Sequence, residues 1–239
     1  MKRIAAALAL ACALTTALVA QNEMKPWTDW SKKDAEKILN DSPWGQTQTQ
    51  TDTSEMFYTP TEPGARNARR DAEGNTNQAI NIKYRIRFLS ARPIRQAFAR
   101  VQLLDAQSPN KAMVEGLKNF ADAPPNPDSI IVAVTYESKD GRVSGRAFQA
   151  FSTATAETIR NKTYLQRKDG QRLFLTEYQR PDQNPLRAAF FAFPRVVDGK
   201  PFITPETGEV RFVASLGQGV ELNMRFDVSK MNYGGALEY

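Results

Sequence analysis

The stretch that decides the fold is AINIKYRIRFL, residues 79–89, in which apolar and polar side chains alternate. A repeat of two residues is typical of a β-strand with one buried and one solvent-facing side. The apolar side consists of Ile80, Ile82, Tyr84, Ile86 and Phe88, and the polar side of Asn81, Lys83, Arg85 and Arg87. The pattern therefore predicts a half-buried strand and places the start of the main domain at residue 79.

Two amphipathic helices are predicted directly after this strand. The first spans residues 92–105, with Pro93 near its start and apolar residues at helical spacing along it. The second begins after Ser108, which can cap it, and has Pro109 in its first turn. A group of prolines at residues 124–127 ends the second helix, because the residue before a proline avoids helical backbone angles.

The rest of the chain carries the signals of β-hairpins. An Asp-Gly pair separates two strand-like runs at residues 140–141, 169–170 and 198–199, and this dipeptide favours tight hairpin turns. Further turns are predicted at residues 205–210 and 217–219. Strands joined by short turns run antiparallel. The predicted fold class is α+β: mainly antiparallel sheet, as one sheet or a two-sheet meander of about seven to nine strands, with two or three helices in a single domain plus an N-terminal helical arm.

The first twenty residues have the features of a secretory signal peptide. Lys2 and Arg3 precede an uncharged, alanine-rich run over residues 4–20. This run falls short of the roughly 20 strongly apolar residues that span a bilayer, so we expect cleavage near residue 20 and no permanent membrane span afterwards. Lipidation at Cys12 is the less favoured alternative. The protein is therefore predicted to be secreted or periplasmic.

A second helical segment lies close to the N-terminus, in PWTDWSKKDAEKILNDSPWG, residues 26–45. Ser31 and Asp34 have the spacing of a capping box, with Asp in place of the usual Glu, and Pro43 stops the helix. A helix of about three turns does not persist alone in water, so it docks on its own domain or on a partner. The candidate docking or binding residues are the three tryptophans, Trp27, Trp30 and Trp44.

Residues 46–78 are rich in Gln, Thr, Asn, Gly and Arg and poor in aliphatic residues. Such a segment buries little apolar surface, which predicts a polar connector. The alternation of Thr47, Thr49 and Thr51 leaves a local alternative, an edge strand with two polar faces. The predicted organisation is a signal peptide at 1–20, a Trp-rich helical segment at 21–45, the connector at 46–78 and the α+β domain at 79–239. A connector of this length also lets the helix reach another copy of the chain, as in a structural subunit.

The composition excludes several classes of active site. The chain has no histidine, and its one cysteine, Cys12, lies in the predicted signal peptide. The mature protein therefore lacks the commonest general base and the usual ligands of zinc, copper and haem, and it cannot form disulfides. The net charge of +6, from 32 basic and 26 acidic residues, becomes +4 once Lys2 and Arg3 are removed. No catalytic residue, metal site or cofactor is predicted.

Two kinds of candidate site remain. Lys83, Arg85 and Arg87 on one strand face suit an anionic surface, or they form a solvated face that discourages edge pairing. A hydrolase that uses two carboxylates needs them about 5 to 10 Å apart across a cleft. The acidic residues available in the β-rich part are Glu137, Glu157, Glu177, Asp182, Glu221 and Asp227, and no spacing among them stands out.

These observations predict an exported, non-catalytic protein with a binding or assembly role in the periplasm or the extracellular space. Its candidate partners are another protein or an anionic component of the cell envelope. Nucleic acid is disfavoured, because the net charge is modest and no nucleic-acid motif occurs. The alternative is a carboxylate-dependent hydrolase of cell-envelope polysaccharide.

Overall fold

The structure is a computed structural model and describes residues 25–52, 80–184 and 186–239. These residues form five α-helices and thirteen strands, and every strand pair is antiparallel. The predicted α+β fold is confirmed, although helices and strands are more numerous than predicted. The predicted signal peptide and residues 53–78 of the predicted connector lie outside the described residues.

Strands and helices alternate irregularly along the chain. The strands are β1 (Gly45–Asp52), β2 (Ile80–Phe88), β3 (Ser129–Ser138), β4 (Thr163–Arg167), β5 (Arg172–Phe174), β6 (Glu177–Gln179), β7 (Ala189–Pro194), β8 (Val196–Val197), β9 (Lys200–Pro201), β10 (Glu209–Gly217), β11 (Val220–Asp227), β12 (Asn232–Tyr233) and β13 (Ala236–Leu237). The helices are α1 (Lys32–Asn40), α2 (Arg92–Asp105), α3 (Lys111–Asp122), α4 (Gly141–Thr153) and α5 (Ala156–Ile159).

Two main sheets share one core. The first has the strand order β1-β2-β3-β7-β6, and the second has the order β11-β10-β4-β5. Phe191 of β7 packs edge-on against Phe212 of β10, with ring centroids 5.3 Å apart, and Phe88 of β2 packs against Phe226 of β11 at 4.8 Å. All four rings are fully buried. These contacts join the apolar faces of the two sheets.

Strand β2 is the strand predicted from residues 79–89, and it lies between β1 and β3 in the first sheet. Its buried residues are those of the predicted apolar face: Ile82, Tyr84, Ile86 and Phe88. Helices α2 and α3 confirm the two predicted helices. The cap of α3 is Asn110 and not Ser108, since the Asn110 side chain accepts a hydrogen bond from the backbone N–H of Met113 at 2.8 Å.

The hairpin predicted at residues 140–141 is wrong. Helix α4 starts there, and the Ser144 N–H donates to the Asp140 carbonyl at 3.1 Å. The buried residues of α4 include Val143, Ala147, Ala150 and Phe151. This spacing of four, three and one residues is helical. The Asp-Gly pair here lies between a strand and a helix. The buried residues that follow it recur at helical spacing and not at every second position.

The turns predicted at residues 169–170, 198–199 and 217–219 are confirmed, whereas Pro205–Thr207 forms a short 3₁₀ helix between strands of different sheets. β4 and β5 are joined through residues 169–170, β8 and β9 through residues 198–199, and β10 and β11 through residues 217–219. Gly170 and Gly199 have φ angles of +88° and +75°, in the left-handed region that glycine adopts without a steric penalty. The Asp-Gly pair thus forms a hairpin turn wherever a strand follows it.

The N-terminal helix is part of the domain and not a separate arm. Helix α1 packs against α2, β1 and β2. Its predicted capping box is confirmed, since Ser31 Oγ accepts from the Asp34 N–H at 3.2 Å and the Asp34 carboxylate accepts from the Ser31 N–H at 3.0 Å. Lys32 of α1 also forms an ion pair with Asp105 of α2 at 2.6 Å.

Residues 45–52 form strand β1, so the connector prediction is wrong for this part and the edge-strand alternative is confirmed. β1 pairs with β2 along its whole length. On its other edge it meets β11, the edge strand of the second sheet, through side chains. Gln48 donates to the Glu221 carbonyl and accepts from the Asn223 N–H, both at 2.8 Å. The Gln48 amide thus satisfies backbone groups that an edge strand leaves open.

Candidate functional site

A cavity of about 530 Å³, termed the β1 cavity, lies where β1, β2, α4 and the β10–β11 turn meet. Ligand sites in proteins commonly have volumes of about 300 to 1,000 Å³. The lining residues are Gln50 and Thr51 of β1, Ile82 and Tyr84 of β2, Val143, Arg146 and Ala147 of α4, and Gln218, Gly219 and Val220 at the turn. The cavity thus combines elements that are far apart in the sequence.

Aliphatic side chains form one part of the cavity wall. Ile82, Val143, Ala147 and Val220 are all buried. Ile82 belongs to the apolar face of β2, while Val143 and Ala147 lie one turn apart on the same face of α4. Such a wall favours contact with an apolar part of a ligand, because apolar surface is then removed from water.

Gln50 brings a polar group to the cavity in a defined orientation. Its Nε2 donates to the Gly219 carbonyl at 3.0 Å. Only the nitrogen of an amide can donate to a carbonyl, so this bond assigns the other amide atom as Oε1. Gln50 Oε1 is buried and has no hydrogen-bond partner among the described residues. An unpartnered buried acceptor costs about 1 to 3 kcal/mol.

Tyr84 brings a hydroxyl group to the same cavity. Its ring lies opposite Tyr136 of β3 and 6.3 Å from the ring of Phe151. Its hydroxyl forms no hydrogen bond with another described residue. Burial raises the pKa of Tyr84 to about 12, with a smaller rise from Tyr136 and an opposing effect of Arg146. The hydroxyl is therefore protonated at neutral pH and can both donate and accept.

Among the described residues that line the cavity, Arg146 is the only charged one and none is a carboxylate. A pair of carboxylates about 5 to 10 Å apart, as glycoside hydrolysis requires, is thus missing from this lining. The arrangement can hold a ligand by apolar contact and hydrogen bonds.

Several of the acidic residues considered for hydrolysis have other partners. Glu137 forms an ion pair with Arg85 at 2.6 Å. Glu221 accepts a hydrogen bond from Ser215 at 2.6 Å. The Asp227 carboxylate lies 3.1 Å from the Lys230 ammonium. Each of these contacts is at the protein surface, where a charged group gains little from its partner, and none of the three carboxylates lines the β1 cavity.

The three basic residues predicted on β2 lie in different environments. Lys83 is exposed. Arg85 forms an ion pair with Glu137, which lies opposite Lys83 in the pairing of β2 with β3. Arg87 is inserted beneath the end of α1, where its Nε donates to the Leu39 carbonyl at 2.8 Å. Burial, with a smaller contribution from Arg85, lowers the pKa of Arg87 to about 10, so it stays charged at neutral pH. The three side chains do not form one open basic surface.

The three tryptophans are core residues of their own domain. Trp27, Trp30 and Trp44 are 7 to 8% exposed. Trp30 Nε1 donates to the Lys25 carbonyl at 3.0 Å, and Trp44 Nε1 donates to the Glu238 carbonyl at 2.8 Å. These two indole N–H groups are thus satisfied within the chain, and the rings fasten the N-terminal segment to the domain.

A second concavity, of about 390 Å³, lies beside helices α2 and α3. Its lining residues are Leu89, Phe98, Gln102, Leu117, Phe120, Leu186 and Phe190. Gln102 is the only polar side chain among these described residues. This concavity therefore offers fewer hydrogen-bonding groups for selecting a ligand than the β1 cavity does.

Acidic and metal-ligating side chains do not cluster in the described part of the chain. Within residues 25–52, 80–184 and 186–239, no group of three or more His, Cys, Asp or Glu side chains is placed to hold a metal ion. Over the same ranges, no helix has the length and apolar character needed to cross a bilayer.

The sequence pattern does not mark Gln50, Tyr84 or Arg146 as site residues. Gln50 falls in the predicted connector, Tyr84 on the core face of a strand, and Arg146 in a predicted hairpin. One signal was present, since the helical spacing of Val143 and Ala147 assigns Arg146 to a helix. The contact between this helix and β1 is a property of the tertiary structure.

No protein-family model, no curated protein and no solved structure matches this chain. Function is therefore inferred from the geometry of the β1 cavity.

Proposed function

We propose that the protein is an exported, non-catalytic binding protein whose ligand site is the β1 cavity. The observation that carries this proposal is a cavity of about 530 Å³ that combines an aliphatic wall with the polar side chains of Gln50, Tyr84 and Arg146. Convergent polar groups on an apolar wall are what a small-molecule site requires. The signal-peptide features of residues 1–20 support export.

The chemistry of the lining supports binding better than catalysis. An amide, a protonated phenol and a guanidinium can orient a ligand, but none of them is a general base at neutral pH. The alternative function, hydrolysis of polysaccharide by two carboxylates, gains no support from this lining. An assembly role through the tryptophans is also less favoured, because all three rings are buried in their own domain.

Ligand binding is tested with four probes: octyl glucoside, octanoate, octyltrimethylammonium and glucose, each below any concentration at which it forms micelles. We expect at least one octyl probe to bind the purified protein in titration calorimetry. The same probe is expected to shift the NMR signals of the Val143 and Val220 methyl groups, which lie in the cavity wall. These shifts are measured on the unaltered protein.

A matched pair of variants locates the binding. Ala147→Leu adds three carbons to the buried cavity wall and is expected to weaken binding about tenfold. Ala112→Leu makes the same change at an exposed position of α3 and is expected to leave binding unchanged. If no probe binds, or if the bound probe leaves both valine methyl signals unmoved, the β1 cavity is not a ligand site. Cleavage of purified cell-envelope polysaccharide by the protein would contradict the non-catalytic part of the proposal.

A further inference from the structure

The outer face of the β11-β10-β4-β5 sheet carries two rows of side chains. Residues directly opposite each other in antiparallel strands lie on the same face of the sheet. The register of the four strands makes one row of Phe174, Tyr164, Val213 and Asn223, termed the aromatic row, and another of Arg172, Gln166, Arg211 and Arg225, termed the arginine row. The other face of these strands carries the buried residues that join the core.

Both rows are open to solvent. Arg172, Asn223 and Arg225 are exposed, and Phe174 is 44% exposed. The members of the rows on the two middle strands are half-buried. Neighbouring strands lie about 4.8 Å apart, so each row extends about 14 Å across the sheet. A partner would therefore meet an extended surface and not a pocket.

The aromatic row is joined to the arginine row at the β4–β5 edge. The Tyr164 and Phe174 rings pack edge-on, with centroids 5.8 Å apart. The Arg172 guanidinium lies 4.5 Å from the centre of the Tyr164 ring. Stacking on a ring orients a guanidinium and leaves its N–H groups able to donate at the edge. This edge thus offers an exposed ring and charged hydrogen-bond donors side by side.

The arginine row carries positive charge that its neighbours compensate only in part. Arg211 lies directly opposite Arg225, and like charges in such a pair destabilise a sheet. Arg225 has one carboxylate near it, Glu209, at 3.8 Å. Arg172 and Arg211 form no ion pair among the described residues. These two guanidinium groups can therefore bind an anion without breaking an existing ion pair.

The other carboxylates near the two rows have partners of their own. Glu221 accepts a hydrogen bond from Ser215 at 2.6 Å, and Asp227 lies 3.1 Å from the Lys230 ammonium. In the turn between β4 and β5, Asp169 is paired with an arginine outside the two rows, at 3.0 Å. None of these acidic residues belongs to either row. Charge complementarity therefore favours an anionic partner on the rows.

The spacing of the charges favours a partner with repeated anionic groups. Arg172 and Arg211 lie two strands apart, about 10 Å, so a small anion would meet only one of them. Binding to a bilayer scales with the apolar area that is buried, and Phe174 is the only large apolar side chain of the two rows that is exposed. The signal-peptide features of residues 1–20 favour a partner outside the cytoplasm over nucleic acid.

We infer that the outer face of the β11-β10-β4-β5 sheet binds an acidic polysaccharide, whose anionic groups meet Arg172 and Arg211 and whose sugar rings lie against Phe174. Carboxylate groups match the planar fork of a guanidinium, and the C–H groups of a sugar ring pack against an exposed aromatic ring. None of these three residues lines the β1 cavity, so this surface is separate from the proposed ligand site.

The test uses two acidic polysaccharides, polygalacturonate and alginate, each beside its esterified form, in which the carboxylates are masked. We expect at least one acidic polymer to bind the purified protein in titration calorimetry and its ester to bind about tenfold or more weakly. Added salt should weaken the binding, because it screens exposed charges. The bound polymer should also shift the NMR signals of the Phe174 ring in the unaltered protein.

Three variants locate the surface. Arg172→Gln and Arg211→Gln each remove one guanidinium and are expected to lower the affinity about tenfold, while Phe174→Ala should lower it about fivefold. The matched control is Arg187→Gln, because it removes the same charge at an exposed position before β7, in the other main sheet. It is expected to leave the affinity unchanged. Thermal melts would show that each variant is folded.

The outcomes separate this surface from the β1 cavity and from other partners. If neither acidic polymer binds, or if the esters bind equally well, the inference is wrong and the β1 cavity proposal is unaffected. If Arg187→Gln weakens binding as much as Arg211→Gln, the attraction comes from net charge and not from the two rows. Tighter binding to phosphatidylglycerol vesicles or to poly(dT) than to either polymer would replace the polysaccharide by a membrane or a nucleic acid.

Discussion

The two ends of strand β1 differ in how their polar groups are satisfied. At the Gly45 end, Trp44 Nε1 donates to the Glu238 carbonyl at 2.8 Å, and Arg87 Nε and Nη2 donate to the Leu39 carbonyl and to Asn40 Oδ1, both at 2.8 Å. At the other end, Gln50 Oε1 is buried and lacks a partner among the described residues. Buried polar groups in native proteins are normally paired, and the unpaired oxygen lies at the end of β1 that lines the β1 cavity.

Helix α1 explains why one end is closed. The helix finishes directly before β1, and its last carbonyls are left without partners inside the helix. Arg87 and Ser42 supply donors to these carbonyls, with Ser42 Oγ donating to the Ile38 carbonyl at 2.6 Å. The other end of β1 meets α4 and the β10–β11 turn, which leave space between them. The difference between the ends is therefore a difference in what covers them.

The largest effect on stability is expected from removing the Trp44 ring at the Gly45 end of β1. Trp44→Ala removes a ring that is 7% exposed and frees the Glu238 carbonyl, which should lower the free energy of unfolding by about 3 to 5 kcal/mol. The control is Phe148→Ala, because Phe148 is 57% exposed and should change stability by less than about 0.5 kcal/mol. Urea denaturation of both variants would measure these changes. Equal effects would mean that Trp44 does not hold this end together.

The next effect is expected from adding one methyl group at the same end. A Cβ at Gly45 would lie 2.8 Å from the Leu39 carbonyl carbon and 2.9 Å from the Ile38 oxygen, both in the backbone of α1. Gly45→Ala should therefore destabilise the protein by about 3 kcal/mol.

Gly116→Ala is the matched control for this change. Gly116 lies inside α3, and a Cβ added at this position would have open space around it, with nothing within 4 Å. Alanine should therefore stabilise the protein by about 0.5 to 1 kcal/mol. Thermal melts of both variants would show whether each substitution raises or lowers the stability. A neutral Gly45→Ala would show that α1 and β1 are not in close contact.

A smaller effect is expected from removing one polar group at each end. Arg87→Met leaves the Leu39 carbonyl and Asn40 without their donor and should cost about 2 kcal/mol. Tyr84→Phe removes a hydroxyl with no partner among the described residues and should change stability by less than about 0.5 kcal/mol. Urea denaturation of both variants would measure these changes. A large loss of stability in Tyr84→Phe would assign the hydroxyl a structural role and remove it from the proposed site.

The smallest effect concerns pH at the start of α1. The Ser31 hydroxyl donates to the Asp34 carboxylate at 2.7 Å and, together with the Ser31 N–H, lowers the pKa of Asp34 below its ordinary value of 3.8. Because the folded pKa is the lower one, this contribution to stability is complete above pH 3.8 and is lost as the pH falls through the folded pKa.

An NMR titration of the Asp34 side chain checks this prediction. Its midpoint should lie below 3.8 in the unaltered protein and should rise towards that value in Ser31→Ala, which lacks the hydroxyl donor. The two midpoints would coincide if the capping box were not formed in solution.

Much of the fold follows from local patterns. The alternation in β2, the caps and prolines around α1 and α2, and the Asp-Gly turn between β4 and β5 are short-range features, and the structure has all of them. The exception, the start of α4, shows how a local signal fails. An Asp-Gly pair favours a turn, but the residues after it decide whether a strand or a helix follows.

The candidate site does not follow from local patterns in the same way. Gln50 and Tyr84 are separated by most of the predicted connector, and their meeting depends on the pairing of β1 with β2. The wall residues Val143 and Val220 reach the cavity from two other elements. Their contacts depend on how the sheets and helix α4 pack, and this is set by side chains distant in sequence.

The sequence by itself determined the fold class, the positions of β2 and the first helices, the absence of histidine and the absence of cysteine from the described residues. Periodicity, capping and turn chemistry act over a few residues, so they follow directly from the order of residues in the chain. Only the tertiary structure decided that the tryptophans close one end of β1 and that Gln50 Oε1 and the Tyr84 hydroxyl have no partner among the described residues at the other. Whether a buried polar group is satisfied depends on which distant backbone or side chain comes within hydrogen-bonding distance, and no local pattern records that.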